Sequence, residues 1–512
     1  MIKIKTALLS TFYKDRLDVL ANVLGKLDVG LISTGGTLEF LKNLGLEVKP
    51  VEDLTDFPEM LGGRVKTLHP KVFGGILNRR HIAEDQVQIA EFDIPSIDLV
   101  VVNLYPFEET LKNGGTLQEM IEKIDIGGVS LIRASAKNFT DVCIVADPSD
   151  YIKVSEELEL SSGFISLDTR KRLAAKAFQI TSSYDAMIGQ YLSEQAGTED
   201  ELPESWISIA SPKNALRYGE NPHQKAAFYG NLSKSYEQIH GKELSHNNLV
   251  DAAAAFDLLS EFEASKPATV IVKHTNACGV AVSDTLSNSY QLALSCDPTS
   301  AFGGVIAVNH KVDVRTAQLL NDLFFEILMA PDFETDALEI LKTKKNRILL
   351  RSKLSQKPVW QIKSVFNGLL VQQNDLALVK KEDCKIVSEK IPVDSDWANM
   401  LFANKIVKHT KSNTIVLAKE GILLASGTGQ TSRVDALKQA IHKAKSFGFD
   451  LNGSAMASDA FFPFPDCVEI AAGEGIKSVI QPGGSIKDQD SIDACNRLGI
   501  CMVTTGLRHF KH

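Results

Sequence analysis

The sequence predicts an α/β protein of two or more domains whose strands are mostly parallel, and three observations carry that expectation. Short β-branched runs alternate with amphipathic helical stretches through residue 151, the order that builds a parallel sheet with helices on both faces. At 512 residues the chain is too long for one ordinary core. Around residues 195–206 the text changes to QAGTEDELPESW, acidic, proline-bearing and without apolar periodicity, which reads as a boundary.

The totals narrow the function. Hydrophobic residues make up 44% and charged residues 23%, the usage of soluble globular domains, so disordered and fibrous classes drop out. A net charge of -9 argues against a nucleic-acid partner while leaving room for local basic pockets that hold small phosphates. Seven cysteines without a Cys-x-x-Cys pair point to a reducing cytoplasm rather than to a disulfide framework or a structural zinc site. The start, MIKIKTALLSTFYKDR, meets charge early and again at Lys14, too soon for a secretory core, and no span reaches membrane length. No membrane partner is expected.

Taken in order, residues 3–9 read as a strand, 14–27 as an amphipathic helix and 29–33 as a second strand. Gly35 and Gly36 break it before Thr37 opens the helix TLEFLKNLG. IDLVVVNLYPF (97–107) and DVCIVADPSDY (141–151) are further buried strands between helices. In the second domain a helical run over 251–264 leads into ATVIVKHTNACG (268–279), where Val270, Ile271 and Val272 suit a pleated, buried surface. That strand aims Lys273 and His274 at its carboxyl end, where open α/β sheets keep their ligand crevices. Taken alone, such a pair is more often a solvated strand end.

The second half also echoes itself. IVKHT occurs at 271–275 and at 406–410, Ala301-Phe302 is answered by Ala460-Phe461, and LMAP ending at Pro331 by VIQP ending at Pro482. Three matches in one order suggest two α/β subdomains from duplication, with a site built between them.

Several motifs carry chemistry. STGGT (33–37) follows a strand and opens a helix, so its backbone N–H groups suit a phosphate, although a plain connection has the same look. GGRVKTLHP (62–70) brings Arg64, Lys66 and His69, which are otherwise a solvated surface. NLYPF places Tyr105 at a strand end. IDIGGVSLIRASAKN places Asp125 before a Gly-Gly turn and Lys137 twelve residues later; read singly, Asp125 is a helix cap and Lys137 a solvated helix residue. Arg217 and Tyr218 lie in the loop LRYGENPHQ. GTGQTSR (427–433) lacks the third glycine and the following acid of a dinucleotide fingerprint and is rejected as one. Phe461, Phe462 and Phe464 in SDAFFPFPD are either a core plug or a wall for a flat heterocycle. The chain ends TGLRHFKH, and terminal basic residues usually fray.

Together GGRVKTLHP, NLYPF, IDIGGV, ASAKN, RYGENPHQ, VKHTNACG, DPTSAFGG, MAPDF, KSNTIV, GTGQTSR, SDAFFPFPD, QPGGSIKD and RHF, in this order along essentially the whole chain, closely resemble the bifunctional purine-biosynthesis family that joins AICAR transformylase to IMP cyclohydrolase. The resemblance implies a methylglyoxal-synthase-like cyclohydrolase domain over 1–195, a linker over 196–205, and a transformylase over 206–512. The latter would be two cytidine-deaminase-like subdomains divided near residue 370, without zinc chemistry. It implies a homodimer with transformylase sites at the interface. The co-substrate would be 10-formyltetrahydrofolate, and no metal or organic cofactor would be required.

For formyl transfer the resemblance assigns catalysis to Lys273, His274 and Asn413. The substrate amine is a poor nucleophile, an imidazole titrates near neutrality and suits proton removal, and a neutral amide donor suits the formyl oxygen. Arg217, Tyr218, Asn248, Gly303, Glu326, Arg508, Phe510 and His512 would hold the nucleotide, with Phe302, Phe461, Pro463 and Asp466 against the folate. For ring closure, an intramolecular reaction helped by folding of the substrate, Lys66, Tyr105, Asp125 and Lys137 would manage charge and protons. Thr34, Gly35, Gly36, Thr37, Arg64 and Thr67 would bind the phosphate end. Two positions depart from the family. STFYK (10–14) places Phe12 where a small hydroxyl residue is usual, removing one phosphate contact, and Ala277 replaces a proline after the Lys-His pair, leaving that turn less rigid. Phe12 favours an alternative in which only the transformylase works. A third reading, a silent nucleotide-binding regulator, leaves the Lys273-His274 pair without a purpose.

Overall fold

A computed structural model describes residues 1–197, 202–210, 212–353 and 358–512. The chain divides into two compact units, Met1–Ile209 and Ala210–His512. The stretch expected as a linker, 196–205, falls at the end of the first, and its residues 198–201 lie outside those described.

In the first unit five strands, β1 (Thr6–Thr11), β2 (Gly30–Ser33), β3 (Val48–Pro50), β4 (Leu99–Asn103) and β5 (Cys143–Val145), form a parallel sheet in the order β3-β2-β1-β4-β5. Every residue of β4 and β5 is buried, as expected of strands covered by helices on both faces. Strand order reverses beside β1, so the carboxyl ends of β1, β2 and β4 surround the crevice where such sheets bind ligands. The first strand starts later than its apolar run. The Asp98 carboxylate accepts the Lys5 and Thr6 N–H groups at 2.7 and 2.8 Å, and Ile2–Lys3 pairs instead with Phe164–Ile165. A 29-residue helix, Leu167–Gln195, which the sequence reading passed over, is capped by Ser166 and packs on the helix Gly127–Lys137.

The second unit is built on a 12-stranded mixed sheet. Its strands are β6 (Tyr236–His240), β7 (Ala268–Lys273), β8 (Asn276–Val282), β9 (Val305–Val308), β10 (Ile327–Ala330), β11 (Ile348–Ser352), β12 (Lys385–Ile386), β13 (Ile415–Lys419), β14 (Ile422–Gly427), β15 (Ala455–Ser458), β16 (Ser478–Gln481) and β17 (Cys501–Thr504). The order is β6-β11-β10-β9-β7-β8-β14-β13-β15-β16-β17-β12, two halves in mirrored order that meet at one bridged pair, Ala281↔Ile422. Each half runs helix, antiparallel hairpin, then helix-strand units closing in parallel ladders. A separate hairpin, Trp360–Val365 with Gly368–Gln373, lies between the halves, where the division near 370 was expected.

The duplication is therefore visible in topology, but two of its three sequence echoes are out of register. The first IVKHT ends β7, whereas the second closes the helix Asp394–Lys408 and buries Lys408 against Glu261. Ala301-Phe302 precedes β9, whereas Ala460-Phe461 follows β15. Only LMAP and VIQP fall on equivalent strands, β10 and β16. Five apolar and basic letters satisfy a buried strand end and a buried helix end equally well.

Both halves bring a helix onto their central hairpin through a glycine. A Cβ at Gly279 would stand 2.1 Å from the Ala293 carbonyl, and one at Gly427 1.8 Å from that of Ala436. All seven cysteines are free thiols. Among the described residues no helix is long and apolar enough to cross a membrane, and no three His, Cys, Asp or Glu side chains converge as metal ligands do.

Candidate active sites

At the head of the first sheet, parallel register sets Leu9 beside Ser33 and Thr11 beside Asn103, so three loops meet. Thr34 precedes the helix Gly35–Asn43, and Gly35 adopts φ +52 with Lys66 Nζ 3.3 Å from where its Cβ would be. A lysine thus covers the bare backbone of the STGGT turn. Buried Thr37 donates to the Thr11 carbonyl at 2.9 Å and accepts from Lys14 Nζ at 2.9 Å. Burial pushes the Lys14 ammonium below its usual range, and among the described residues no carboxylate pairs with it. In the sequence Lys14 marks only a break in an apolar run, at the start of a helical stretch that gives it no motif. Lys66 pairs with Glu59 at 2.9 Å and Arg64 with Glu122. Thr67 Oγ1 lies 3.1 Å from where a Cβ at Gly127 would be, which joins this loop to the turn after Asp125.

Asp125 caps the helix Gly127–Lys137 by accepting the Gly128 N–H at 2.7 Å, while its own N–H donates to the Tyr184 hydroxyl at 2.9 Å. Burial raises its carboxyl above the ordinary range, opposed by the Gly128 and Tyr105 backbone amides. Tyr105 is 46% exposed, and its ring meets that of Phe12 edge-on at 5.7 Å. The Phe12 and Tyr13 N–H groups both donate to Asn103 Oδ1, at 2.5 and 3.0 Å. Lys137 sits elsewhere. An 11-residue helix, about 15 Å long at its usual rise, separates it from Asp125. It lines a cleft of about 680 Å³ with Arg133, Lys171, Phe73, Phe139 and Phe178. A single chain does not bring Lys137 to Asp125.

In the second unit, antiparallel pairing places the end of β7, the starts of β9 and β13 and the ends of β14 and β15 along one edge of the sheet. Lys273 Nζ donates to the Phe302 carbonyl at 2.7 Å. Gly303, at φ +72, donates to the Phe324 carbonyl, and the Phe302 and Phe324 rings are 5.1 Å apart. Glu326 donates its N–H to Gly304 and pairs through its carboxylate with Lys242 at 2.6 Å. Arg217 stacks on Tyr218 at 4.8 Å, and their loop is tied to the helix His246–Leu259 by Asn247 Nδ2 on the Glu220 carbonyl. Asn248, on that helix, uses its Oδ1 to cap the Ser245 N–H.

Along the same edge, in the other half of the sheet, Asn413 donates its Nδ2 to the Gln430 and Thr431 carbonyls at 3.0 and 3.2 Å. The donor role expected for this amide requires those bonds to be exchanged. The C-terminal tail docks rather than frays: Ser412 N–H donates to the Lys511 carbonyl, and His509 N–H to the Asp459 carbonyl. Arg508 lies 4.4 Å over Phe510, which is 5.5 Å from the His512 ring. In SDAFFPFPD Phe462 is core, whereas Phe461 and Phe464 are exposed beside Pro463. Asp466 accepts the Cys467 N–H at the next helix start.

The AICARFT/IMPCHase bienzyme profile matches residues 135–443 and the MGS-like domain profile residues 16–130. The chain belongs to the AICARFT/IMPCHase bienzyme family. It is 53% identical to the bifunctional purine biosynthesis protein PurH of Bacteroides thetaiotaomicron over 510 residues, covering 100% of this chain and 99% of that one. It is 48% identical to PurH of Acetivibrio thermocellus, covering 99% and 100%. Among solved structures, the crystal structure of ForH is 37% identical and covers 36% of this chain and 97% of its own, with a TM-score of 0.33.

At position 12, where the resemblance leads one to expect a small hydroxyl, the Phe12 ring stands edge-on to Tyr105. The turn before Ala277 is held without proline: Asn276 Nδ2 donates to the His274 carbonyl at 2.9 Å, and two further amides donate to Asp251. Asp251, the first residue of the helical run expected over 251–264, carries no motif in the sequence.

Proposed function

We propose that this protein carries out the last two steps of IMP synthesis. A formyl group passes from 10-formyltetrahydrofolate to the amine of aminoimidazole carboxamide ribonucleotide, and the formamido product then closes with loss of water to IMP. The carrying observation is that bifunctional relatives match the chain at about half identity from end to end, while each of its two compact units presents its own residue set at a sheet edge.

In formyl transfer, the exposed imidazole of His274 takes the proton that the amine loses on attack, and Lys273, oriented by the Phe302 carbonyl, stabilises the oxyanion or protonates the departing folate nitrogen. Arg217, Tyr218, Asn248, Gly303 and Glu326 on one side and Arg508, Phe510 and His512 on the other hold the nucleotide. Phe302 at 58%, Phe461 at 37% and Phe510 at 41% exposure supply flat apolar faces for a pterin or purine. Such exposed faces also support a homodimer that covers them.

In ring closure, the phosphate rests on the 34–37 turn with Lys14, Arg64 and Thr67, and Lys66 meets the formyl oxygen. Asp125, its carboxyl raised, moves the proton beside Tyr105. Lys137 reaches such a site from a second chain. No metal enters either step, and free thiols fit a cytoplasmic enzyme.

The test gives purified protein first the formamido nucleotide alone, then the amino nucleotide with 10-formyltetrahydrofolate. IMP from both establishes the two activities. Formamido compound that forms in the second stage and persists in the first supports the transformylase-only reading, which the Phe12-Tyr105 contact favours; silence in both overturns the assignment.

A further inference from the structure

The turn that presents Lys273 and His274 is held from another element. β7 and β8 are joined by two residues, His274 and Thr275, at φ +52 and +65. Successive left-handed residues form the tightest hairpin turn, which Asn-Gly usually fills because a Cβ disfavours that region. Here neither residue is glycine, so the turn needs an external restraint. Asp251, on the helix His246–Leu259, provides it: Oδ1 accepts the Thr275 N–H at 2.7 Å and Oδ2 the His274 N–H at 3.3 Å. The His274 carbonyl is fixed in turn by Asn276 Nδ2 at 2.9 Å and Thr275 Oγ1 at 2.7 Å. Asp251 follows Asn248 by three residues, hence on the same helix face, and the start of that helix also ties down the Arg217 loop.

We propose that Asp251 is the positioning residue of formyl transfer. Its carboxylate clamps the His274-Thr275 turn, so that the Lys273 ammonium and His274 imidazole face the nucleotide held by the same helix. The proposal rests on the reading of the second unit as a transformylase. Asp251 transfers no proton itself; it acts through the backbone of the pair.

Three variants of the full-length protein test it. Asp251→Ala lowers kcat for formyl transfer about 100-fold, the effect of misplacing a catalytic group by an ångström, with KM for the nucleotide within about twofold. Ring closure of added formamido nucleotide stays at the wild-type rate and reports an intact fold. Asp251→Asn, which keeps an acceptor, falls between the two. Adding Thr275→Gly to Asp251→Ala recovers about tenfold of kcat, because glycine adopts positive φ freely. Hydrogen exchange over residues 270–282 is faster in Asp251→Ala and slows again in the double variant. Wild-type kcat in Asp251→Ala overturns the proposal. So does an Asp251→Ala loss that Thr275→Gly fails to recover while exchange is unchanged, which makes the carboxylate a direct proton carrier. If the wild type transfers no formyl group, the functional reading fails, and the exchange comparison alone still decides the clamp.

Discussion

Phe12 is one side chain whose effect is local and measurable. Its ring stands edge-on to Tyr105, and in the ring-closure site proposed above a hydroxyl in its place would donate to a phosphate. Phe12→Ser is expected to lower KM for the formamido nucleotide about tenfold, the value of roughly 1.5 kcal/mol for a hydrogen bond to a charged group. Steady-state ring closure checks it. Asp125 gives a second prediction with two signs. Its carboxyl is raised in the folded protein by burial, so the folded state holds its proton more tightly than the unfolded chain. Stability therefore falls as pH rises from the ordinary carboxylate pKa of about 3.9 to the raised value, and the penalty persists above it. Asp125→Asn keeps the acceptor for the Gly128 N–H and removes the penalty. At pH 7 it should melt no lower than wild type while ring-closure kcat drops by about 10²–10⁴. The names and numbers of both residues were legible in the sequence. Their contacts were not, since Phe12 meets Tyr105 only because β1 pairs with β4.

At the scale of elements, the loop before β9 is anchored by the other half of its unit. Asp297 caps the short helix Pro298–Ala301, and Lys443 of the helix Arg433–Ser446 reaches it at 2.7 Å. Burial works against the Asp297 charge, yet Lys443 and Ser300 hold its carboxyl below the usual range. A lowered acid contributes stability above the unfolded carboxylate pKa and loses it as pH falls through the folded value. Lys443→Met leaves a buried carboxylate short of its cation and should cost about 2–3 kcal/mol at pH 7. Urea unfolding at pH 7 and in acid should show the deficit narrowing as pH drops. Formyl transfer should weaken as well, because the Phe302 carbonyl that holds Lys273 closes this loop. The alternation of strands and helices was readable from periodicity. This tie between halves was not, because it depends on which strands become neighbours.

For the whole molecule, the helix Gly127–Lys137 sets a condition on assembly. It holds Asp125 at one end and Lys137 at the other, so a site using both draws them from two chains. Lys137→Ala and Asp125→Asn proteins should each be deficient in ring closure, yet recover activity when mixed under conditions that exchange subunits. Sedimentation of the wild type should show a dimer. Mixtures no more active than the sum of their parts would exclude a shared site.

Sequence alone determined the α/β class and the family, and it marked a boundary near residue 200, an internal echo in the second half and a set of candidate site residues. Those features are written in local patterns: side-chain period, turn residues and short motifs that any backbone of that type must show. Tertiary structure alone decided that two of the three internal echoes fall on unlike elements and that Asn413 donates inward. It also decided that Lys66 covers the STGGT turn while Lys14 donates to Thr37, and that Asp251 accepts from the backbone of the His274-Thr275 turn. Each depends on which strand ends become neighbours, and strand order is set by burial across the whole sheet, not by the residues on either side of the turn.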